Sequence, residues 1–166
     1  ARRPAEGSLK VVMRYPTDSG RPQFESHQAP HYTTAVASNG AQLQLRYDLK
    51  DNVRPWGKTI HIKVLQGYLR KADTITLTLG DRSEGSPGWR MQTFLEETFE
   101  LRVLVDRYAT YVYEPLPKSP TFRIVAGEPV RLVAVAGTLV EPGKKIIVSS
   151  RLEDAWGNPV GKVKKV

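Results

Sequence analysis

The chain of 166 residues is 40% hydrophobic and 25% charged, ordinary for a folded protein and long enough for one hydrophobic core or one core and part of another. Its net charge of +8 is spread out: residues 1–128 hold 18 basic and 14 acidic side chains and residues 129–166 hold 7 and 3, a surplus of four in each, so nucleic acid is not an expected partner. The absence of cysteine excludes disulfides, thiolate metal sites and cysteine nucleophiles, and no apolar run approaches the roughly 20 residues of a membrane-spanning helix, so no membrane partner is expected.

The N-terminal Ala1-Arg2-Arg3-Pro4 has no apolar stretch behind it and does not read as a signal peptide. A bacterial cytoplasm and a bacterial periplasm both fit. From there the dominant period is two rather than 3.6. Strands are expected over 9–14 and 33–37, then over 41–48, where Ala41, Leu43, Leu45 and Tyr47 alternate with Gln42, Gln44, Arg46 and Asp48. Ile60, Ile62 and Val64 alternate with Thr59, His61 and Lys63, which places His61 on a solvated face. Ile75, Leu77 and Leu79 alternate with threonines, whose branched Cβ suits a pleated surface. Phe99, Leu101, Val103 and Val105 extend the pattern through a strand over 98–105, followed by strands over 122–125, 130–136 and 145–152.

Gly, Pro and Asn clusters separate these segments, and no amphipathic helix exceeds about two turns. The fold class is all-β, an immunoglobulin-like antiparallel β-sandwich. Pro115, Pro117 and Pro120 each lack the amide hydrogen a ladder needs, and they precede a change of module. Residues 1–128 are read as one β-sandwich module and 129–166 as the start of a second. In that second part a Pro142-Gly143 turn precedes a strand, and Asp154-Ala155-Trp156-Gly157-Asn158-Pro159 follows it, as at the opening of a bacterial immunoglobulin-like domain. Such a sandwich typically needs about 100 residues, so the second module reads as incomplete, with the natural chain continuing past Val166.

Chemistry is sparse. His27 and His31 stand four apart, but Pro30 between them argues against a helical metal pair, and no carboxylate or thiolate completes a ligand set nearby. Ser86 lacks the spacing of a nucleophile elbow. Of the carboxylates Glu96, Glu97 and Glu100, weighed as a glycosidase pair, Glu96 and Glu97 are adjacent, so in an extended chain they point to opposite faces and cannot flank one glycosidic bond. No glycine-rich loop carries the Lys-Ser/Thr ending that would cradle a phosphate. The chain is therefore expected to hold no cofactor, no metal and no catalytic residue. Two loop clusters remain. Arg54 and Trp56 lie in one, and Arg82, Trp89, Arg90 and Gln92 in the other. Arg and Trp together can clamp an anion while stacking on a ring, and aromatic faces in loops bind sugars. The bland alternative is that Trp56 and Trp89 plug the ends of the sandwich.

Leu9-Lys10-Val11-Val12-Met13-Arg14, Arg54-Pro55-Trp56-Gly57-Lys58, Gly80-Asp81-Arg82-Ser83 with Gly85-Ser86-Pro87-Gly88-Trp89-Arg90-Met91-Gln92-Thr93-Phe94, and Glu153-Asp154-Ala155-Trp156-Gly157-Asn158-Pro159 together resemble the N-terminal β-region of a bacterial domain-of-unknown-function family. Its members carry a metal-dependent hydrolase domain similar to the polymerase-and-histidinol-phosphatase superfamily. The resemblance implies that this chain is an accessory part, partnered by a downstream catalytic domain of the same polypeptide. No His-x-His or His-x-Asp ligand pair occurs here, so the hydrolase metal site has no counterpart in these residues. The alternative function is a carbohydrate- or anion-binding module built on the loop Trp and Arg residues.

Overall fold

The computed structural model describes residues 7–165, with side chains described through residue 161. Among the described residues there is no helix, and the alternating segments form antiparallel strands. In chain order they are β1 (Ser8–Met13), β2 (Thr33–Ala37), β3 (Gln42–Asp48), β4 (Lys58–Gln66), β5 (Ile75–Leu79) and β6 (Glu96–Glu100). β7 (Arg102–Asp106), β8 (Glu114–Pro115), β9 (Thr121–Ile124), β10 (Arg131–Ala136), β11 (Val148–Glu153) and β12 (Pro159–Lys165) follow. The short β8 and the closing β12 carry too little apolar alternation to stand out in the sequence.

Contacts divide the chain into two compact units, Ala1–Gln92 with Glu100–Thr121, and Thr93–Phe99 with Phe122–Val166. The 128/129 boundary expected from the sequence falls inside the second unit. The proline-rich segment marks a change of unit, but β9 beyond it pairs with β6, a strand before it, and only long-range pairing reveals that return.

In the first unit, β3-β4-β1-β7-β8 form a five-stranded sheet and β2-β5 a second, two-stranded layer. The register aligns apolar side chains across strands: Leu9 faces Ile62, Val11 faces Ile60 and Val103, and Leu45 faces Ile62. This face buries Val11, Ile60 and Ile62 against Ala35, Ile75, Leu77, Leu79 and Phe24, which makes a two-layer sandwich core. The other face of the large sheet carries a smaller cluster of Val12, Trp56 and Leu104, with Tyr113 packed on it.

The strand expected over 98–105 breaks at Leu101, whose N–H bonds the Pro120 carbonyl at 3.0 Å. The break lets one apolar run serve two purposes. Phe99 packs at a tilt against Phe122, with ring centres 5.0 Å apart, whereas Val103 joins the sandwich core and Leu104 the cluster behind it.

In the second unit, β10-β11-β12 form an antiparallel meander with Leu132 opposite Leu152 and a bulge between Ser150 and Leu152. Its turns are set by carboxylates. Asp154 accepts hydrogen bonds from the Gly127, Trp156 and Asn158 backbone N–H groups at 2.9–3.0 Å and from the Asn158 side chain at 2.8 Å. That is the physical content of the Asp-x-x-Gly-Asn-Pro phrase: one buried carboxylate closes a loop, and Gly157 supplies the left-handed residue at φ 88°. Beside it Glu153 takes charge-assisted bonds from Arg131 and Arg151 at 2.8 Å each.

Candidate functional site

Trp56 is only 8% exposed. The Arg102 guanidinium lies 4.0 Å from its ring centre and that of Arg14 5.3 Å away, so the indole is a packing surface between strands and cations. Arg54 sits 5.6 Å over the Tyr15 ring, and the Tyr15 N–H bonds the Pro55 carbonyl at 2.6 Å. The Arg54-Pro55-Trp56 phrase is thereby clasped to the chain leaving β1.

The segment over 80–92 folds back on residues 18–34 instead of splaying outward. The Trp89 indole N–H donates to the Gly20 carbonyl at 2.6 Å, and the Gly20 N–H donates to the Arg90 carbonyl at 2.8 Å. The Arg90 guanidinium reaches the Asp18 carbonyl at 2.5 Å. Gln92 is buried, and Arg82 is exposed with its aliphatic stem beside Gly88. Gly80 has φ 67°, and a Cβ there would stand 2.2 Å from the Trp89 nitrogen, so the tight approach of the two segments requires glycine. Asp81 ties the base of the loop, accepting from Ser83 N–H at 3.0 Å and Thr34 hydroxyl at 2.7 Å, and these bonds hold its carboxyl below the usual range.

The residues weighed for catalysis are engaged likewise. The buried Ser86 hydroxyl donates to the Ala29 carbonyl at 2.8 Å. His27 pairs with Glu84 and stacks on Tyr32, Glu97 pairs with Arg123, and Glu100 with Arg102. Among the described residues no group of three or more His, Cys, Asp or Glu side chains is placed to hold a metal ion.

His61 departs from its expected solvated position. It lies half-buried behind the large sheet, with Nε2 2.9 Å from the Tyr113 hydroxyl, which in turn is 2.7 Å from the Ser8 hydroxyl. The Lys10 ammonium sits 4.3 Å from the Tyr113 ring centre and donates to the Asp51 carbonyl at 2.7 Å. The alternation placed His61 on the polar face correctly, but Tyr113, 52 residues away, covers that face. Burial pushes the His61 pKa below its ordinary 6.5, with Arg46, Lys10 and Lys63 adding to the effect and Asp51 opposing it. Burial raises the Tyr113 pKa, against the Ser8 hydrogen bond.

A pH dependence follows. Below the ordinary histidine pKa the unfolded chain takes up a proton that folded His61 resists, so stability falls as pH drops through about 6.5. The expected outcome is that the urea midpoint falls less between pH 7.5 and 5 in His61→Gln than in the unsubstituted chain. His31, also held low by burial and by Arg90, titrates equally in both and cancels. Equal falls in the two proteins would refute the assignment.

One further constellation lies at the end of the first unit where β4 and β7 finish. The β4–β5 loop is braced by Asp73, which accepts from the Arg70 N–H at 2.7 Å and from the Asn39 amide at 2.8 Å, while Asn39 also bonds the Tyr68 carbonyl at 2.7 Å. The Arg70 guanidinium lies 5.0 Å from the Tyr68 ring centre and donates to its hydroxyl. The loop after β7 is braced by the buried Asp106, which accepts from Tyr108 N–H at 3.2 Å, Thr110 N–H at 3.1 Å and Tyr111 N–H at 2.7 Å. Burial pushes the Asp106 carboxyl up, but these bonds outweigh it and hold the group below the usual range. Ala109 and Tyr111 adopt φ 52° and 62°, a strained conformation that the Asp106 bonds sustain. Tyr68, Tyr108 and Tyr111 are consequently 63%, 73% and 87% exposed.

A cleft of about 540 Å³ opens between Asn39, Gln42, Gln66, Tyr68, Arg70 and Asp73. A neighbouring one of about 330 Å³ is lined in part by Tyr68, Leu69 and Tyr108, so the Tyr68 side of the first cleft borders the second. Sequence reasoning assigned these residues no binding role. The signal present was Tyr108, Tyr111 and Tyr113 crowded into Arg107-Tyr108-Ala109-Thr110-Tyr111-Val112-Tyr113, outside any alternating strand.

No family model matches the chain, and neither a curated protein nor a solved structure matches it.

Proposed function

We propose that this chain is a non-catalytic accessory module of immunoglobulin-like β-sandwich type, followed by the start of a second such module. In this reading it scaffolds a metal-dependent hydrolase domain of the same polypeptide and shapes access to that domain's substrate. The observation that carries the reading is the use made of the carboxylates. Asp81, Asp106 and Asp154 spend their oxygens on loop N–H and hydroxyl groups, and Glu153 is clamped by two arginines. Each has its pKa moved down, away from the neutral range where acid–base catalysis operates. The Gly80–Phe94 stretch, the most specific part of the resemblance, supports the same reading, because Trp89 and Arg90 hold the loop to the sandwich.

The test is hydrolysis of p-nitrophenyl phosphate and bis-p-nitrophenyl phosphate by the purified chain, with and without Mn²⁺ or Zn²⁺. The expected rate is that of the protein-free blank. Metal-dependent turnover that co-purifies with the chain and is abolished by chelation would overturn the reading.

A further inference from the structure

We infer that the cleft bordered by Tyr68 is a binding site for a neutral oligosaccharide. The inference goes beyond the accessory role and does not rest on it, since a scaffold has no need of an open cleft. Three observations support it. The first is size: about 540 Å³ lies within the roughly 300–1,000 Å³ of small-ligand sites.

The second is chemistry. The walls offer the exposed Tyr68 ring, with the Arg70 guanidinium over one face, and the primary amides of the exposed Gln42 and Gln66, while the Asn39 amide is taken up by Tyr68, Asp73 and Ala41. The C–H face of a pyranose packs on an aromatic ring, while amides donate to and accept from its hydroxyls at once. The lining holds one cationic and one anionic side chain, Arg70 and Asp73, so its formal charge is zero and matches a neutral polyol rather than an anion.

The third is preorganisation. The bonds of Asn39 and Asp73 fix the loop that carries Tyr68, and those of Asp106 fix the loop that carries Tyr108 and Tyr111. A tyrosine held on a braced loop contributes contact area with little loss of conformational freedom on binding. The neighbouring cleft past Tyr68 gives a chain of sugar units a direction to continue, toward Tyr108.

The experiment is titration calorimetry of the whole chain with cellohexaose, xylohexaose, maltohexaose and chitohexaose, with a heparin hexasaccharide as the anionic arm. At least one neutral hexasaccharide is expected to bind, with affinity falling tenfold or more in Tyr68→Ala and in Gln42→Ala. Both side chains are exposed, so circular dichroism and the thermal midpoint should be unchanged, and the second variant decides the matter if the first misfolds. Binding by none of the four, binding indifferent to both variants, or binding of the heparin fragment alone would each overturn the proposal.

Discussion

Trp56→Ala is expected to destabilise the first unit by about 3–5 kcal/mol, the range for truncating a buried tryptophan. The indole is 8% exposed and fills the cluster with Val12, Leu104 and Tyr113. Its removal leaves a cavity behind the central strand β1 and strips Arg102 of the ring it lies against at 4.0 Å. Against a typical domain stability of about 5–15 kcal/mol, that is a large fraction. Trp56→Phe keeps part of the aromatic volume and should lose less than half as much. The measurement is urea unfolding followed by far-ultraviolet circular dichroism. A Trp56→Ala protein as stable as its parent would mean that the indole is free for a ligand, and would restore the Arg54–Trp56 cluster as a binding surface.

Asp154→Ala is expected to unfold the turn between β11 and β12 selectively. The substitution removes the buried acceptor shared by the N–H groups of Gly127, Trp156 and Asn158, and part-buried donors that lose their partner are costly. Amide hydrogen exchange reads this directly. Protection of the Trp156 and Asn158 amides should fall by about tenfold or more, while that of Ile60 and Ile62 in the first unit stays unchanged.

The same carboxylate predicts acid lability. Burial pushes the Asp154 pKa up, but the Asn158 side chain and the N–H groups of Gly127, Asn158 and Trp156 outweigh it and bring the pKa from 3.8 down to about 2. A depressed carboxylate pKa stabilises the fold fully above the unfolded value. That stabilisation is lost as pH falls from about 4 toward 2. Asp154→Asn should therefore flatten the acid branch of the stability curve of the second unit. The slope contributed by Glu153, whose pKa Arg151 and Arg131 hold low, would remain. An acid branch unchanged in Asp154→Asn would rule Asp154 out as its source.

Much of the first unit was legible because its strands are buried on one face. Leu43, Leu45 and Tyr47, or Ile75, Leu77 and Leu79, alternate so regularly that both the strand and its inward face follow from the residues alone. Where a strand is apolar on both faces the alternation revealed only one of them. Leu101 and Val103 pack in the sandwich core as the period of two implies, but their neighbour Leu104 serves a cluster on the opposite side of the sheet that the alternation did not announce. The candidate site was hidden for a related reason. Tyr68 and Tyr108 lie 40 residues apart, in loops without periodic signal, and pairing of β1 with both β4 and β7 carries those loops to one end of the unit.

By itself the sequence determined that this protein is all-β, which strand residues of the first unit turn inward, and that cysteine chemistry is excluded. Those properties are local, since alternation, proline and glycine act within a few residues. The tertiary structure decided which residues have work left to do. It put Trp56 and Trp89 to packing and hydrogen bonding, half-buried His61 beneath Tyr113, and left Tyr68, Tyr108 and Tyr111 outside. Exposure of a side chain depends on what the rest of the chain brings over it, and that covering comes from residues too distant in sequence for any local pattern to encode.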